Sequence, residues 1–139
     1  MTPAECLAFM AEGAPTGILA TVRADGSPHA APVWFLVEAG GTIILNTGSG
    51  TAKGRNLRRD GRAALVVDDP APPFSFARVD GEVELSEHAD ELLDAATRIA
   101  ARYMGPERAD EYGRRNGVPG ELLVRIHPTR ITGTRGVAD

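Results

Sequence analysis

Residues 42–60 read Thr-Ile-Ile-Leu-Asn-Thr-Gly-Ser-Gly-Thr-Ala-Lys-Gly-Arg-Asn-Leu-Arg-Arg-Asp, an apolar run that passes through small hydroxyl residues into a basic segment. Thr42 to Leu45 has the β-branched, apolar character of a strand, and Gly48 and Gly50 permit a tight turn. Ser49 or Thr51 can cap the helix that follows by accepting a hydrogen bond from a free backbone N–H. Such a junction suits an anion. The helix start presents unpaired N–H groups and the positive end of its dipole, and Lys53 and Arg55 add full charges that can reach the same point. Phosphate is the expected guest, although the glycine, lysine and Ser/Thr order of a P-loop is absent. Two readings therefore stand for the basic residues, a phosphate site or a solvated helix face. Residues 51–62 hold Lys53, Arg55, Arg58, Arg59 and Arg62 against Asp60, a local net of +4 in a chain of net −4. The positive segment is a local device in an acidic protein.

Composition bounds the rest. A chain of 139 residues makes one domain, 1–139, that can bury a core without metal or disulfide staples. Apolar residues at 42 % and charged residues at 24 % are ordinary for a globular protein, and no apolar run reaches the length of a membrane span. The N-terminus, Met-Thr-Pro-Ala-Glu-Cys, has no basic region followed by an apolar one, so a cytoplasmic location is expected. Cys6 is the single cysteine and cannot form an internal disulfide; its neighbours Leu7, Phe9 and Met10 predict burial. The basic segment is too compact for general nucleic-acid binding, which needs a broad positive surface.

Along the chain, Thr2-Pro-Ala-Glu5 is a capping box with proline at the first helical position, opening a short helix that ends at Gly13. Alternation from Thr16 to Ala24 predicts a strand, Asp25-Gly26 a hairpin turn, and about His29 to Glu38 the returning strand. Gly40-Gly41 is a second hairpin signal, which makes Thr42 to Asn46 the third strand of a meander. After the basic helix, Arg62 to Val67 reads as a strand covered on both faces. From Phe74 to Leu85, Ala77, Val79, Val83 and Leu85 share one face, while Phe74 and Phe76 share the other with Arg78, Asp80, Glu82 and Glu84. Two aromatics on a polar face beside a proline-rich loop point to a partner chain or a flat ligand. Ser86 is the expected cap of a second helix with the apolar stripe Leu92, Leu93, Ala96, Ile99, Ala100 and Tyr103. A short helix is expected over 106–116, then a strand from Glu121 to His127, with Ile131 to Thr134 extending the sheet at an edge. The whole is an α+β, mainly β chain that suggests a compact barrel whose closure would remove exposed edges.

No self-sufficient catalytic machinery is visible. His29, His88 and His127 lie far apart with no second ligand at metal spacing, so no metal is expected, and no serine has a triad or nucleophile-elbow setting. Catalysis would have to be carried by a bound cofactor. Four stretches bear on this: Ser-Pro-His-Ala-Ala-Pro-Val-Trp-Phe (27–35), the turn into Asn46-Thr-Gly-Ser, Thr-Ala-Lys-Gly-Arg-Asn-Leu-Arg-Arg-Asp (51–60) and Phe-Ser-Phe-Ala-Arg-Val-Asp-Gly (74–81). They resemble the pyridoxamine-phosphate-oxidase-like (PNPOx-like) split β-barrel flavoproteins, the FMN-binding split barrel, and most of all the branch of deazaflavin (F420)-dependent oxidoreductases.

The resemblance implies a split β-barrel with peripheral helices that acts as a homodimer, with two cofactor sites at the subunit interface. It implies that Lys53 and Arg55 hold the cofactor phosphate with Asn56 beside them, and that Thr47, Ser49 and Thr51 add hydroxyl or backbone contacts. The strand with Pro32, Val33 and Trp34 would lie along the tricyclic ring, and Phe74 and Phe76 would approach from the other chain. Relatives of this barrel also hold FMN or haem. Arg58 and Arg59 favour F420, since they could meet its oligoglutamate tail; a solvated helix face is the other reading of the pair. The implied activity is hydride transfer from F420H2 to an unsaturated small molecule. An FMN-dependent oxidase or reductase and a non-catalytic cofactor-binding protein are the alternatives, and no catalytic residue is assigned.

Overall fold

The computed structural model describes residues 1–139. In chain order the elements are α1 (Pro3–Ala11), β1 (Gly17–Val22), β2 (Pro28–Val33), β3 (Leu36–Val37), β4 (Ile43–Gly48), α2 (Ala52–Arg59), β5 (Arg62–Asp68), β6 (Phe76–Ser86), α3 (Ala89–Met104), α4 (Ala109–Asn116) and β7 (Glu121–Thr134), with a 3-10 turn at Pro106–Arg108. All strand pairs are antiparallel, in the order β2-β1-β5-β6-β7-β4-β3.

The two edge strands, β2 and β3, are neighbours in the chain, separated only by Trp34 and Phe35. A sheet whose opposite edges are tied by two residues must curl until those edges face each other, and this gives the α+β, mainly β split barrel. The seam is closed by side chains in place of a backbone ladder. Phe35 is fully buried there; its N–H donates to Tyr103 Oη at 3.2 Å and its carbonyl accepts from Arg102 Nη1 at 2.7 Å. The sequence expectation of one continuous strand over 29–38 is thereby corrected. Its first half pairs with β1 and its second half with β4, because curling separates the two partners. The Gly40-Gly41 hairpin does join β3 to β4.

The barrel interior is filled by Leu19, Phe35, Ile43, Leu45, Leu65, Val79, Leu122, Val124 and Ile126, with Cys6 and Met10 from α1 and Leu57 from α2. Each such side chain contributes about 1.5–3 kcal/mol on burial, largely offset by the entropy of ordering the chain. The capping box forms as expected: Thr2 Oγ1 accepts from the Glu5 N–H, and the Glu5 carboxylate accepts from the Thr2 N–H. A smaller cluster, Ile44, Leu92, Ala95 and Leu123, lies on the outer face of β4 and β7 under α3.

Three further expectations change. β5 is not covered on both faces: Ala63, Leu65 and Val67 point inward while Ala64 and Val66 are half-exposed, because α3 roofs β4 and β7 instead. Ser86 ends β6, and His88 occupies the α3 cap; the Ser86 hydroxyl accepts from the His88 N–H and donates to Glu91. On α3, Ala95 is buried while Leu93 is exposed, so the stripe is rotated slightly from the expected one. Ile131 to Thr134 is no separate edge strand but the continuation of β7 along β6, past an irregularity opposite Asp80 and Gly81. There a Cβ on Gly81 would come within 2.6 Å of the His127 carbonyl oxygen, so only glycine lets the strands cross. No helix is long and apolar enough to cross a membrane.

Candidate functional site

The end of β4 and the start of α2 build the site from local rules. Thr51 is the helix cap: its hydroxyl accepts from the Gly54 N–H at 3.1 Å, donates to the Gly48 carbonyl at 2.7 Å and lies 3.2 Å from the Thr47 hydroxyl. The turn folds back so tightly that a Cβ on Gly54 would meet the Gly48 carbonyl oxygen at 2.2 Å, which explains a glycine inside an eight-residue helix. The hydroxyls of Thr47 and Thr51 thus close the turn, and the Ser49 N–H donates to the Gly120 carbonyl at 2.8 Å, joining the turn to the start of β7.

Helix α2 presents its cations to two different cavities. The first, about 210 Å³, is lined by Pro32, Val33 and Trp34 at the barrel seam, Asn46 and Thr47 of β4, Lys53 of α2, Ala96 and Ile99 of α3, Asn116 of α4 and Glu121 of β7. Trp34 is 36 % exposed and stacks on Tyr103, with ring centroids 5.0 Å apart and planes within 2°. Tyr103 is fixed in turn by donating to the Pro15 carbonyl at 2.7 Å, and burial raises its pKa above the usual phenol value. The result is a flat aromatic wall facing a polar floor, with Lys53 free of any ion pair.

Sequence reasoning missed that floor. Asn46 Nδ2 donates to the Asn116 carbonyl and to Glu121 Oε1, both at 3.2 Å. Burial raises the pKa of Glu121 above its ordinary value, opposed by the Asn46 hydrogen bond and by the charge of Lys53. A carboxyl that holds its proton more firmly, beside a free ammonium group, is suited to hydrogen bonding or proton exchange. No motif spacing could have shown it, since Glu121 reaches the site only through the pairing of β7 with β4 opposite Gly48.

The second cavity, about 410 Å³, is lined by Arg23, Ala24 and Asp25 of the β1–β2 turn and by Ala52, Arg55, Asn56 and Arg59 of α2. Asn56 is buried and donates to the Thr21 hydroxyl at 3.0 Å, so its amide ties helix to barrel. Of the other expected site residues, Arg58 pairs with Glu87 at 2.8 Å and borders neither cavity. Phe74 and Phe76, 44 % and 37 % exposed, sit at the opposite end of the β6–β7 ladder from the cavities. There Phe76 shares the outer sheet face with Ile18 and Val66. The chain therefore gathers Pro32, Val33, Trp34, Thr47 and Lys53 in one cavity and Arg55, Asn56 and Arg59 in another. Phe74 and Phe76 remain on a separate surface.

The structure is thus a curled seven-strand split barrel with cations at the β4–α2 junction. Residues 2–135 match the family described as pyridoxamine 5'-phosphate oxidase, and the chain belongs to that family. It is 31 % identical over 137 residues to the F420H(2)-dependent biliverdin reductase of Mycobacterium tuberculosis, covering 97 % of this chain and 90 % of that protein. It is 36 % identical over 118 residues to the 5a,11a-dehydrotetracycline/5a,11a-dehydrooxytetracycline reductase of Streptomyces rimosus, covering 83 % of this chain and 70 % of that protein. Among solved structures, a conserved hypothetical protein from Mycobacterium tuberculosis superposes with a TM-score of 0.82 at 29 % identity, over 96 % of this chain and 84 % of that one.

Proposed function

We propose that the protein is an F420H2-dependent reductase of an unsaturated small molecule, acting as a homodimer. The observation that carries this is the unpaired Lys53 at the edge of a cavity walled by Pro32, Val33 and Trp34, in a chain related along 97 % of its length to an F420H(2)-dependent reductase. The residues present fit such a cofactor. Lys53 and the capped turn suit a phosphate, Trp34 and Ile99 suit a flat ring, and Asn46 and Glu121 offer hydrogen bonds to ring or substrate heteroatoms.

When bound, the reduced deazaflavin supplies the hydride. The chain supplies the rest: Lys53 anchors the anion, the Trp34–Tyr103 stack and α3 orient flat molecules and exclude water, and Glu121 offers a carboxyl whose pKa burial raises. At about 210 Å³ the cavity of one chain is smaller than a typical ligand pocket of 300–1,000 Å³, so a second surface has to complete it. The exposed face carrying Ile18, Val66, Phe74 and Phe76 supports a second copy in that role. FMN is the second cofactor reading, supported by the match to the pyridoxamine 5'-phosphate oxidase family. Incubating purified protein separately with F420 and FMN, then following F420H2 oxidation with candidate acceptors such as biliverdin, tests the proposal. Turnover of F420H2 is expected; binding without turnover would leave a cofactor-binding protein, and binding of FMN alone would overturn the F420 reading.

A further inference from the structure

At the seam the chain leaves β2 after Val33 and enters β3 at Leu36, so Phe35 lies outside both strand pairings although it is fully buried. A buried backbone N–H and C=O must each find a partner. Adjacent residues in the last turn of α3 supply both: the Phe35 N–H donates to Tyr103 Oη at 3.2 Å, and its carbonyl accepts from Arg102 Nη1 at 2.7 Å. The same two side chains reach back to α1 and its connection to β1. Arg102 Nη2 donates to the Met10 carbonyl at 2.7 Å and Nε to the Gly13 carbonyl at 3.0 Å, while Tyr103 Oη donates to the Pro15 carbonyl at 2.7 Å. All three nitrogens of the guanidinium therefore hold carbonyls from separate stretches of backbone, and no carboxylate pairs with it. Its central carbon also lies 4.7 Å from the centre of the Phe35 ring and 5.3 Å from that of Tyr103. A lysine could not take this place, because an ammonium group carries its donors on one atom.

We propose that Arg102 and Tyr103 are positioning residues for the first cavity: they clamp the seam at Phe35 and hold the Trp34 ring in the plane on which a flat ligand stacks. The identity of that ligand rests on the F420 reading above. Neither residue borders the cavity, so the clamp acts through Trp34, which does. The backbone of Trp34 is fixed by the clamped Phe35 beside it. Its ring is fixed by Tyr103, which covers one face and leaves the other face and the edges for a ligand. Tyr103 thus serves twice, its hydroxyl joining Pro15 to Phe35 and its ring backing the indole. A wall held this way loses little freedom when a ligand arrives, and preorganisation of that kind adds affinity without adding a contact.

Trp34 is the single tryptophan of the chain, so its fluorescence reports the wall in the free protein. Three variants of the full chain separate the contributions: Tyr103→Phe keeps the ring and removes the hydroxyl, Tyr103→Leu removes both, and Arg102→Lys keeps the charge and removes the fork. Arg98→Ala, which breaks exposed pairs with Asp94 and Glu38 on the same helix, controls for a general loss of helix stability. Acrylamide quenching of Trp34 should rise, and its anisotropy fall, in Tyr103→Phe and Arg102→Lys and further in Tyr103→Leu, with Arg98→Ala at the wild-type value. Affinity for F420, read by calorimetry, should fall about threefold in Tyr103→Phe and about tenfold in Tyr103→Leu, the range that an aromatic contact sets. A lower melting temperature with quenching and affinity both unchanged would make the pair merely structural and overturn the proposal. Quenching that rises equally in Arg98→Ala, or that rises while F420 affinity holds, would overturn it as well. Failure of the wild-type chain to bind F420, with quenching changed as expected, would overturn the cofactor reading and leave the clamp on Trp34 standing.

Discussion

The two cavities served by α2 differ in how their positive charge is balanced. In the first, Lys53 faces a single carboxyl, Glu121, whose pKa burial raises above the ordinary value, within walls of Trp34, Ile99 and Ala96. In the second, three arginines are anchored by carbonyls and open to solvent, with only Asp25 opposed to them. A partly buried charge beside a titratable carboxyl acts strongly at short range and responds to pH, whereas exposed charges act weakly and respond to salt. The first cavity, alone of the two, is thus suited to fixing a ligand in one pose.

Loss of the partner surface should separate the two most sharply. If Phe74 and Phe76 pack across the dimer, replacing both with serine removes about 1.5–3 kcal/mol of burial for each side chain and should raise the dimer dissociation constant a hundredfold or more. Sedimentation would show monomer, with ligand affinity lost at the first cavity while the second stays intact. A wild-type monomer would reject the premise.

Within the first cavity, Lys53→Ala should weaken cofactor binding by about 1.5–3 kcal/mol, the scale of a charge-assisted hydrogen bond, with melting temperature nearly unchanged because Lys53 makes no ion pair. Unchanged affinity in the folded variant would remove the phosphate from Lys53.

Glu121→Gln gives a smaller effect with a defined sign. Because burial raises its pKa above 4.5, the folded state binds this proton more tightly than the unfolded chain. Stability therefore falls as pH rises from 4.5 through the raised value, and the glutamine variant should lack that component. Anion binding beside Lys53 should weaken over the same range in the wild type, as the carboxylate forms and competes, by about threefold in a site still reached by solvent. Thermal melts and F420 titrations across that range should show both trends flattened in the variant. If the two proteins have superimposable pH profiles, Glu121 does not face the bound anion.

The smallest effect is expected at Arg58→Ala, which loses an exposed pair with Glu87 and should change F420 affinity by less than about twofold. A loss as large as that of Lys53→Ala would place the bound anion on the Glu87 side of α2.

The parts legible in the sequence are those set by near neighbours. The Thr2–Glu5 capping box, the Thr51 cap with its cationic helix and the two-face parity of 76–85 each depend on residues a few positions apart, whereas Phe74 precedes the strand with a positive φ and falls outside that parity. The parts that were not legible depend on curling. Residues 28–37 divide between opposite edges because the barrel turns back on itself at Trp34 and Phe35, and no local pattern distinguishes that from one long strand. Arg23 and Glu121 reach the two cavities from a hairpin turn and from the last strand, so only tertiary pairing reveals them. Likewise, Arg58 and Arg59 are adjacent in a basic run, yet helical rotation sends one to Glu87 and the other to the Val22 carbonyl.

The central claim is that this barrel recognises a deazaflavin. Its most direct test is a side-by-side titration of F420 and FMN into the wild-type protein at low ionic strength, read by calorimetry. Tighter binding of F420 than of FMN is expected, with the advantage narrowing as salt is added. Tighter binding of FMN, or no heat on addition of F420, would contradict it.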